Sequence, residues 1–353
     1  FLFAWPFPAV FIVGSLSIMF SYITRRMIGT LPVMLLISLL VFMLVQAAPG
    51  DPADLLLSDE ASKEDIEEAR IRWGLDQPVY IQYWRFLVAA LQGDLGMSFR
   101  YADPVLLLIV ERLPATIELA FFSIVIAVVV ALPLGVWAGA KPNSWVDNLG
   151  SIVGFFGISM PNFWFGIMLI LVVSGVFNLL PSAGRETYGI PSDPITGFYI
   201  IDSIIHGNWT AAWDGIKYII LPATALGTNM MGIMMRVTRS SVLEVMHEDY
   251  VTTARAKGVK ETIVLWHHAV RNALIPIITV VGLELGTLLS GSIIVETVFS
   301  WPGGGSLLIS AITARDYPLI TGTVLCYTFA FVIINFVIDI MYGLIDPRIR
   351  FDK

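Results

Sequence analysis

Long apolar runs alternate along the chain with shorter polar blocks, and six of the runs are long enough to cross a bilayer. Crossing takes about 20 mostly apolar residues, because lipid offers backbone N–H and C=O groups no partner outside the helix itself. The runs cover about Met27 to Ala48, Pro114 to Gly139, Leu149 to Leu180, Tyr218 to Val237, Ala273 to Val298 and Leu319 to Ile345. The third is long enough to tilt or bend, and Pro161 follows a glycine-bearing entry at Gly154 and Gly157. Pro222, Pro276 and Pro318 fall near the starts of the last three, where a missing N–H costs least. The pattern predicts an all-α polytopic membrane protein of six transmembrane helices.

Two polar blocks carry helical patterns of their own. Ser62 reads as an N-cap, with Glu64 and Asp65 in the first turn, Arg70 and Arg72 near the end, and Gly74 as the stop. From Val79 to Leu91, Tyr80, Tyr83, Trp84, Leu87 and Leu91 recur at helical spacing. This suits a helix against the membrane surface or the bundle, and a packed cap without substrate contact explains it equally well. Residues 1–18 are apolar and aromatic with Pro6 and Pro8, and fit an extra helix, an interfacial anchor, or sequence upstream of a start at Met19. The basic pair and the first good helix that follow Met19 favour the last. The chain thus divides into an extension (1–18), a first helix with a polar amphipathic segment (19–112), a membrane core (113–345) and a tail (346–353).

Charge orients these elements. Arg25 and Arg26 precede the first run, Lys141 lies between the second and third, and Arg348, Arg350 and Lys353 end the chain. The connection between the fourth and fifth adds Arg236, Arg239, Arg255, Lys257, Lys260 and Arg271. Lys and Arg collect on the cytoplasmic side of short loops, so both termini are expected there. Segments 50–112, 181–217 and 301–317 are then extracytoplasmic, in keeping with a bacterial inner membrane. Composition agrees: 56% of residues are apolar, 14% are charged and mean hydropathy is +0.78, against about 45–50% and about 25% in soluble domains. A net charge of −7 gives no reason to expect nucleic-acid binding. The single cysteine, Cys326, excludes an internal disulfide and any cysteine-based zinc site.

The connection 239–272, RSSVLEVMHEDYVTTARAKGVKETIVLWHHAVRN, is too polar to span and too long for a simple turn. It is expected to form helices outside the lipid, broken at Gly258. Val242, Leu243, Val245 and Met246 offer an apolar side, while Thr253, Ala254 and Ala256 are small enough for close approach by another protein. A solvated loop helix would look similar.

The runs EDYVTTARAKG, RNALIP and FSWPGGGSLLISAITARDYP resemble the permease subunits of dipeptide and oligopeptide ABC importers, as do the opening RRMIGTLPVMLLISLLVFMLVQAAPGDP and the closing YGLIDPRIR. The likeness extends from about Met19 to Lys353. It implies the six-helix type I importer fold. It also implies a coupling helix that docks on a nucleotide-binding protein through Glu248, Asp249, Tyr250, Thr252, Thr253, Ala254, Arg255, Ala256, Lys257 and Gly258. The general importer loop opens with Glu-Ala-Ala six residues before its glycine, whereas this chain has Thr252, Thr253 and Ala254 there. That is usual in the peptide branch, and it leaves the docking contact of Thr252 in question. The implied partners are a second homologous permease, two nucleotide-binding ATPases and an extracytoplasmic binding protein, with ATP and Mg held by the ATPases. The resemblance favours di- and oligopeptides as substrate, with nickel, glutathione and oligosaccharides as alternatives. The implied mechanism is alternating access.

No Gly-Lys pair occurs, so the chain has no phosphate-binding P-loop. Gly303 to Gly305 read as a tight turn feeding a short helix and not as a phosphate cradle. Neighbouring His267 and His268 point to different helix faces without carboxylate or cysteine company, so no metal site is expected. Ionisable groups at membrane depth normally face a cavity or partner, which singles out Glu118, Glu284, Glu296 and Asp339, with Asn335 one turn before the last. Glu284, between Gly282 and Gly286, is expected to face the pathway or subunit interface, or to bond a neighbouring helix; Glu118 and Asn335 are further candidates. Asp339 reads as structural. A self-contained secondary transporter using these acids as a proton relay is the alternative of another class, but six helices are few and no inverted repeat is visible. No nucleophile, base and orienter grouping suggests an enzyme.

Overall fold

The computed structural model describes residues 29–47, 63–189 and 194–345. The expectations for residues 1–18, Ser62 and the tail 346–353 lie outside the described residues, as does the side chain of Asp339. The described elements are helical: α1 (Gly29–Ala47), α2 (Lys63–Trp73), α3 (Val79–Leu91), α4 (Val105–Ala140), α5 (Trp145–Ser159), α6 (Asn162–Leu169, continued by a π-helical stretch Ile170–Val176), α7 (Tyr199–Ile205), α8 (Trp209–Met246), α9 (Asp249–Ala256), α10 (Arg271–Val298), α11 (Gly304–Ala314) and α12 (Tyr317–Ile345). A short turn Glu261–Ile263 and a π-helical stretch Val264–Val270 lead into α10.

Helices α1, α4, α8 and α12 are long and apolar enough to cross a membrane unbroken. Two bent pairs bring the spans to six: α5 with α6 and its continuation, folded by 110°, and Glu261–Leu274 with Pro276–Glu284, folded by 46°. The first bend comes from Pro161. Met160 before it is extended, at φ −92° and ψ 130°, because the proline ring disfavours helix in the preceding residue. The third run is therefore a broken span and not one tilted helix.

Helix ends depart most from the sequence pattern. Helix α4 starts at Val105 and α8 at Trp209, so Pro114 and Pro222 lie inside helices, and Pro276 lies inside α10; only Pro318 sits in a first turn. The fourth span does not stop near Val237 to begin a separate loop helix, since α8 continues unbroken to Met246. Neither glycine nor proline occurs between Gly232 and Gly258, so nothing breaks the backbone where the apolar window ends.

Helix α8 is the axis of the bundle. It packs along α4, and α5, α6, α7 and α10 gather round it. Close approach rests on small residues. A Cβ added at Gly227 would fall 2.6 Å from the Ser123 carbonyl oxygen, one at Gly139 2.7 Å from that of Arg239, and one at Gly157 2.5 Å from that of Thr228. Helix α8 has two ends: one where it begins, beside α7, and one where it finishes, beside α9. At the α9 end Arg239 grips Asp147 at 2.5 and 3.0 Å, tying the α4–α5 turn to α8. The amphipathic α3 lies along α1, with the Tyr83 hydroxyl 2.9 Å from that of Ser38, Gln46 donating to Gln82 at 2.7 Å, and Phe42 edge-on to Tyr83.

Candidate functional site

Helix α9 forms where the sequence places start and stop signals close together. Glu248 is the extended N-cap residue, Asp249 lies in the first turn and Arg255 in the last, matching the helix dipole. Gly258 takes φ +76° and ends it, with its N–H donating to the Arg255 carbonyl and that of Val259 to the Ala254 carbonyl. Only glycine adopts this conformation without strain.

Two residues anchor α9. Val251 is 0% exposed and Ala254 8%, and both join an apolar cluster with Val242, Met246, Val264 and Val270. The rest of the segment, including Glu248, Asp249, Tyr250, Thr252, Thr253, Arg255, Ala256, Lys257 and Gly258, is exposed. This corrects one expectation. Ala254 is buried against its own bundle, whereas Thr253 and Ala256 lie on the exposed surface. Arg255 pairs with Glu261 at 2.7 and 3.1 Å and points Nη1 at the carbonyl of Met246, the last residue of α8. The Tyr250 hydroxyl accepts from the Asn272 amide at 2.7 Å.

The other candidates lie elsewhere. Glu118 is buried near the α7 end and accepts from Arg185 at 2.5 and 3.1 Å and from the backbone N–H of Ile200 at 3.0 Å. Arg185 also donates to the Gly197 carbonyl and stacks over Trp301, 5.8 Å from the ring centre. These partners all belong to the subunit itself. Glu284 is half-buried on α10. A Cβ at nearby Gly286 would lie 3.0 Å from the Phe331 ring and 3.5 Å from the Asn335 amide, so Asn335 marks where α10 crosses α12. The Asn335 amide donates to the Phe331 carbonyl at 2.8 Å. The structure brings none of these three together with α9. His267 and His268 differ from expectation in that their rings touch edge to face, 5.2 Å apart. Among the described residues no three His, Cys, Asp or Glu side chains converge as a metal site needs.

Sequence reasoning did not single out Arg185, Asp147 or the keystone role of Glu296. Glu296 is fully buried and accepts from Thr116 at 2.8 Å and from the Ser306 N–H at 3.0 Å, while Thr116 accepts from the Gly304 N–H. One signal was present: Glu118 is the only charged residue between Arg112 and Lys141, and Arg185 the only Lys or Arg between Lys141 and Lys217. In the 194–205 segment, burial works against ionisation of Asp202, but hydrogen bonds from the Thr196 hydroxyl and the N–H groups of Ile195, Thr196 and Gly197 outweigh it and hold its carboxyl below the usual range. Burial, reinforced by Glu186 and Asp214, pushes the Tyr199 phenol up to about 12.

Residues 131–351 match the family described as binding-protein-dependent transport system inner membrane component, and residues 19–120 match the N-terminal part described for such membrane components. A dipeptide transport system permease protein of Alkalihalophilus pseudofirmus is 41% identical over 94% of this chain and all of its own length. One from Escherichia coli K12 is 41% identical over 95% of this chain and all of its own. A glutathione transport system permease protein of Escherichia coli O6:H1 is 39% identical over 94% of this chain and all of its own length. With six spans, the broken third helix and the anchored α9 in place, the chain belongs to the binding-protein-dependent transport system inner membrane component family, the membrane-spanning permeases of ATP-binding cassette importers.

Proposed function

We propose that this chain is the permease subunit through which an ATP-binding cassette importer moves di- and oligopeptides delivered by an extracytoplasmic binding protein. The observation that carries the reading is α9: its Val251 and Ala254 are fixed in the bundle while Thr252, Thr253, Ala256 and Lys257 are exposed, with the partly exposed ring of Tyr250 beside them. A short helix anchored on one side and exposed on the other suits a partner's groove. Full-length likeness to dipeptide and di/tripeptide permeases supports peptides as cargo.

In this reading the α9 end faces the cytoplasm, both termini lie there, and segments 181–217 and 301–316 face outward in a bacterial inner membrane. The functional unit contains a second homologous permease and two nucleotide-binding ATPases that hold ATP and Mg; this chain carries the pathway and no catalytic group. ATP-driven closure of the ATPases moves the docked α9 segments and opens the permease pair outward, and hydrolysis restores the inward-facing packing. Glu284 and Asn335 belong to the pathway or to the surface facing the second permease.

Reconstitution of the complex in proteoliposomes with its binding protein tests this. Di- or tripeptide uptake that requires both ATP and the binding protein is expected, with glutathione and chelated nickel as competing cargo. Uptake driven by a proton gradient without ATP would replace the importer by a secondary transporter.

A further inference from the structure

Two separate stretches of the chain, DYVTTARA and RNALIP, meet at one hydrogen-bonded point. The Asn272 side-chain amide, in the first turn of α10, donates to the Tyr250 hydroxyl of α9 at 2.7 Å and to the His268 carbonyl at 2.9 Å. The Tyr250 hydroxyl in turn donates to the same carbonyl at 3.3 Å. Three groups from α9, the π-helical entry and α10 thus close one triangle.

The two sides of α9 are held differently. Toward α8 it is joined by the short link His247 and Glu248, by the burial of Val251 and Ala254, and by Arg255 reaching the Met246 carbonyl. Toward α10 the backbone runs through Gly258, at φ +76°, and through exposed Lys257 and Lys260, and the exposed Arg255–Glu261 pair spans this turn without reaching α10. The apolar contacts of Val251 with Val264 and Val270 are non-directional and let surfaces slide. Among the described residues, the triangle at Tyr250 and Asn272 is the hydrogen-bonded link that reaches α10 itself. Tyr250 is 40% exposed, so water competes for this link in the free subunit. A protein covering the α9 edge removes that competition and strengthens the link.

We infer that Asn272 is a positioning residue for energy coupling: it locks α9 to the first turn of α10, so that movement of a docked ATPase reaches this spanning helix directly. The inference rests on α9 being the docking segment, as proposed above. Its chemistry is a hydrogen bond that docking itself reinforces.

The test uses the assembled complex with its binding protein, a Cys326→Ala background, and a cysteine introduced at Thr252 to report docking by cross-linking to the ATPase. With Asn272→Ala the cross-link is expected to persist, while peptide taken up per ATP hydrolysed falls about fivefold, the low end of typical coupling strengths. Tyr250→Phe removes the shared Asn272–Tyr250 bond from the other side, leaves Asn272 on the His268 carbonyl, and is expected to do likewise, with the double variant losing less than the sum of the two single ones. An intact cross-link with unchanged uptake per ATP, or losses that simply add, would overturn the role of Asn272. If Asn272→Ala does not assemble, Tyr250→Phe decides on the same ratio. Absence of the cross-link in the parent would instead refute α9 as the docking segment, and the inference with it.

Discussion

A single buried methyl group shows how residue-scale packing decides what a mutation can report. Ala254 faces the cluster of Val242, Met246 and Val264, whereas Lys257 one turn on is exposed. An Ala254→Glu change buries an unpaired carboxylate, at a cost on the order of 3 kcal/mol or more. It is expected to lower the yield and melting temperature of the purified complex. Lys257→Glu is expected to leave melting unchanged and to act, if at all, on ATPase docking. Side-by-side thermal unfolding of the two variants checks this, and equal melting temperatures would show that Ala254 is not anchored as described. The sequence shows small residues in this segment, but smallness serves close approach to a partner and to the parent bundle alike. Only the rotation of α9 about its axis separates the two, and that depends on α8 running straight to Met246.

Elements were legible where the chain itself punctuates them. Helix α2 ends at Trp73 before Gly74, α3 covers Val79–Leu91, and α9 stops two residues before Gly258, each close to the expected place because a glycine or proline writes the boundary locally. The start of α4 and both ends of α8 were not legible, because there helix continues beyond the apolar window and hydropathy reports burial in lipid, not backbone conformation. Gly303 to Gly305 read in the sequence as a tight turn feeding a short helix, but the need for glycine there emerges only from packing. A Cβ at Gly305 would fall 2.6 Å from the Ile293 Cα and 2.8 Å from the Glu296 carboxylate, and one at Gly304 2.5 Å from the Tyr327 hydroxyl. The start of α11 closes on a buried acid with no room for side chains. Gly305→Ala is therefore expected to destabilise by about 1–3 kcal/mol. Gly29→Ala, where nothing lies within 4 Å, is expected to be neutral or mildly stabilising. Melting temperatures of the purified complex distinguish the two, and a harmless Gly305→Ala would mean that the turn has slack.

At the scale of the whole molecule, the α7 end is held by groups far apart in the chain. Glu118 and Arg185 are separated by 67 positions, yet together with Gly197, Ile200 and Trp301 they join segment 181–200 to α4 and to the α10–α11 turn. Glu118 was visible as a lone charge in an uncharged stretch and Arg185 as the one Lys or Arg between Lys141 and Lys217; their pairing was not, because pairing is a property of the assembled bundle. Glu118→Gln leaves the guanidinium without its counter-charge and is expected to cost about 3–5 kcal/mol. The double change Glu118→Gln with Arg185→Gln is expected to recover part of that loss. Proteolytic resistance of segment 181–205 in the four variants measures it, and strictly additive losses would dissolve the pair.

Helix α8 has 38 residues, which at about 1.5 Å each makes a rod of roughly 57 Å, nearly twice the ~30 Å hydrocarbon thickness. A rod of that length that tilts as a unit acts as a seesaw. Near its middle, at Gly227 and Gly232, the helices carrying Ser123 and Gly154 press close against it. A tilt of about 10° about that fulcrum swings each tip by roughly 5 Å, in opposite directions, by the geometry of a rigid helix of this length. Under such a tilt the displacements at the two ends are mirror images, and no relay of side chains is needed between them.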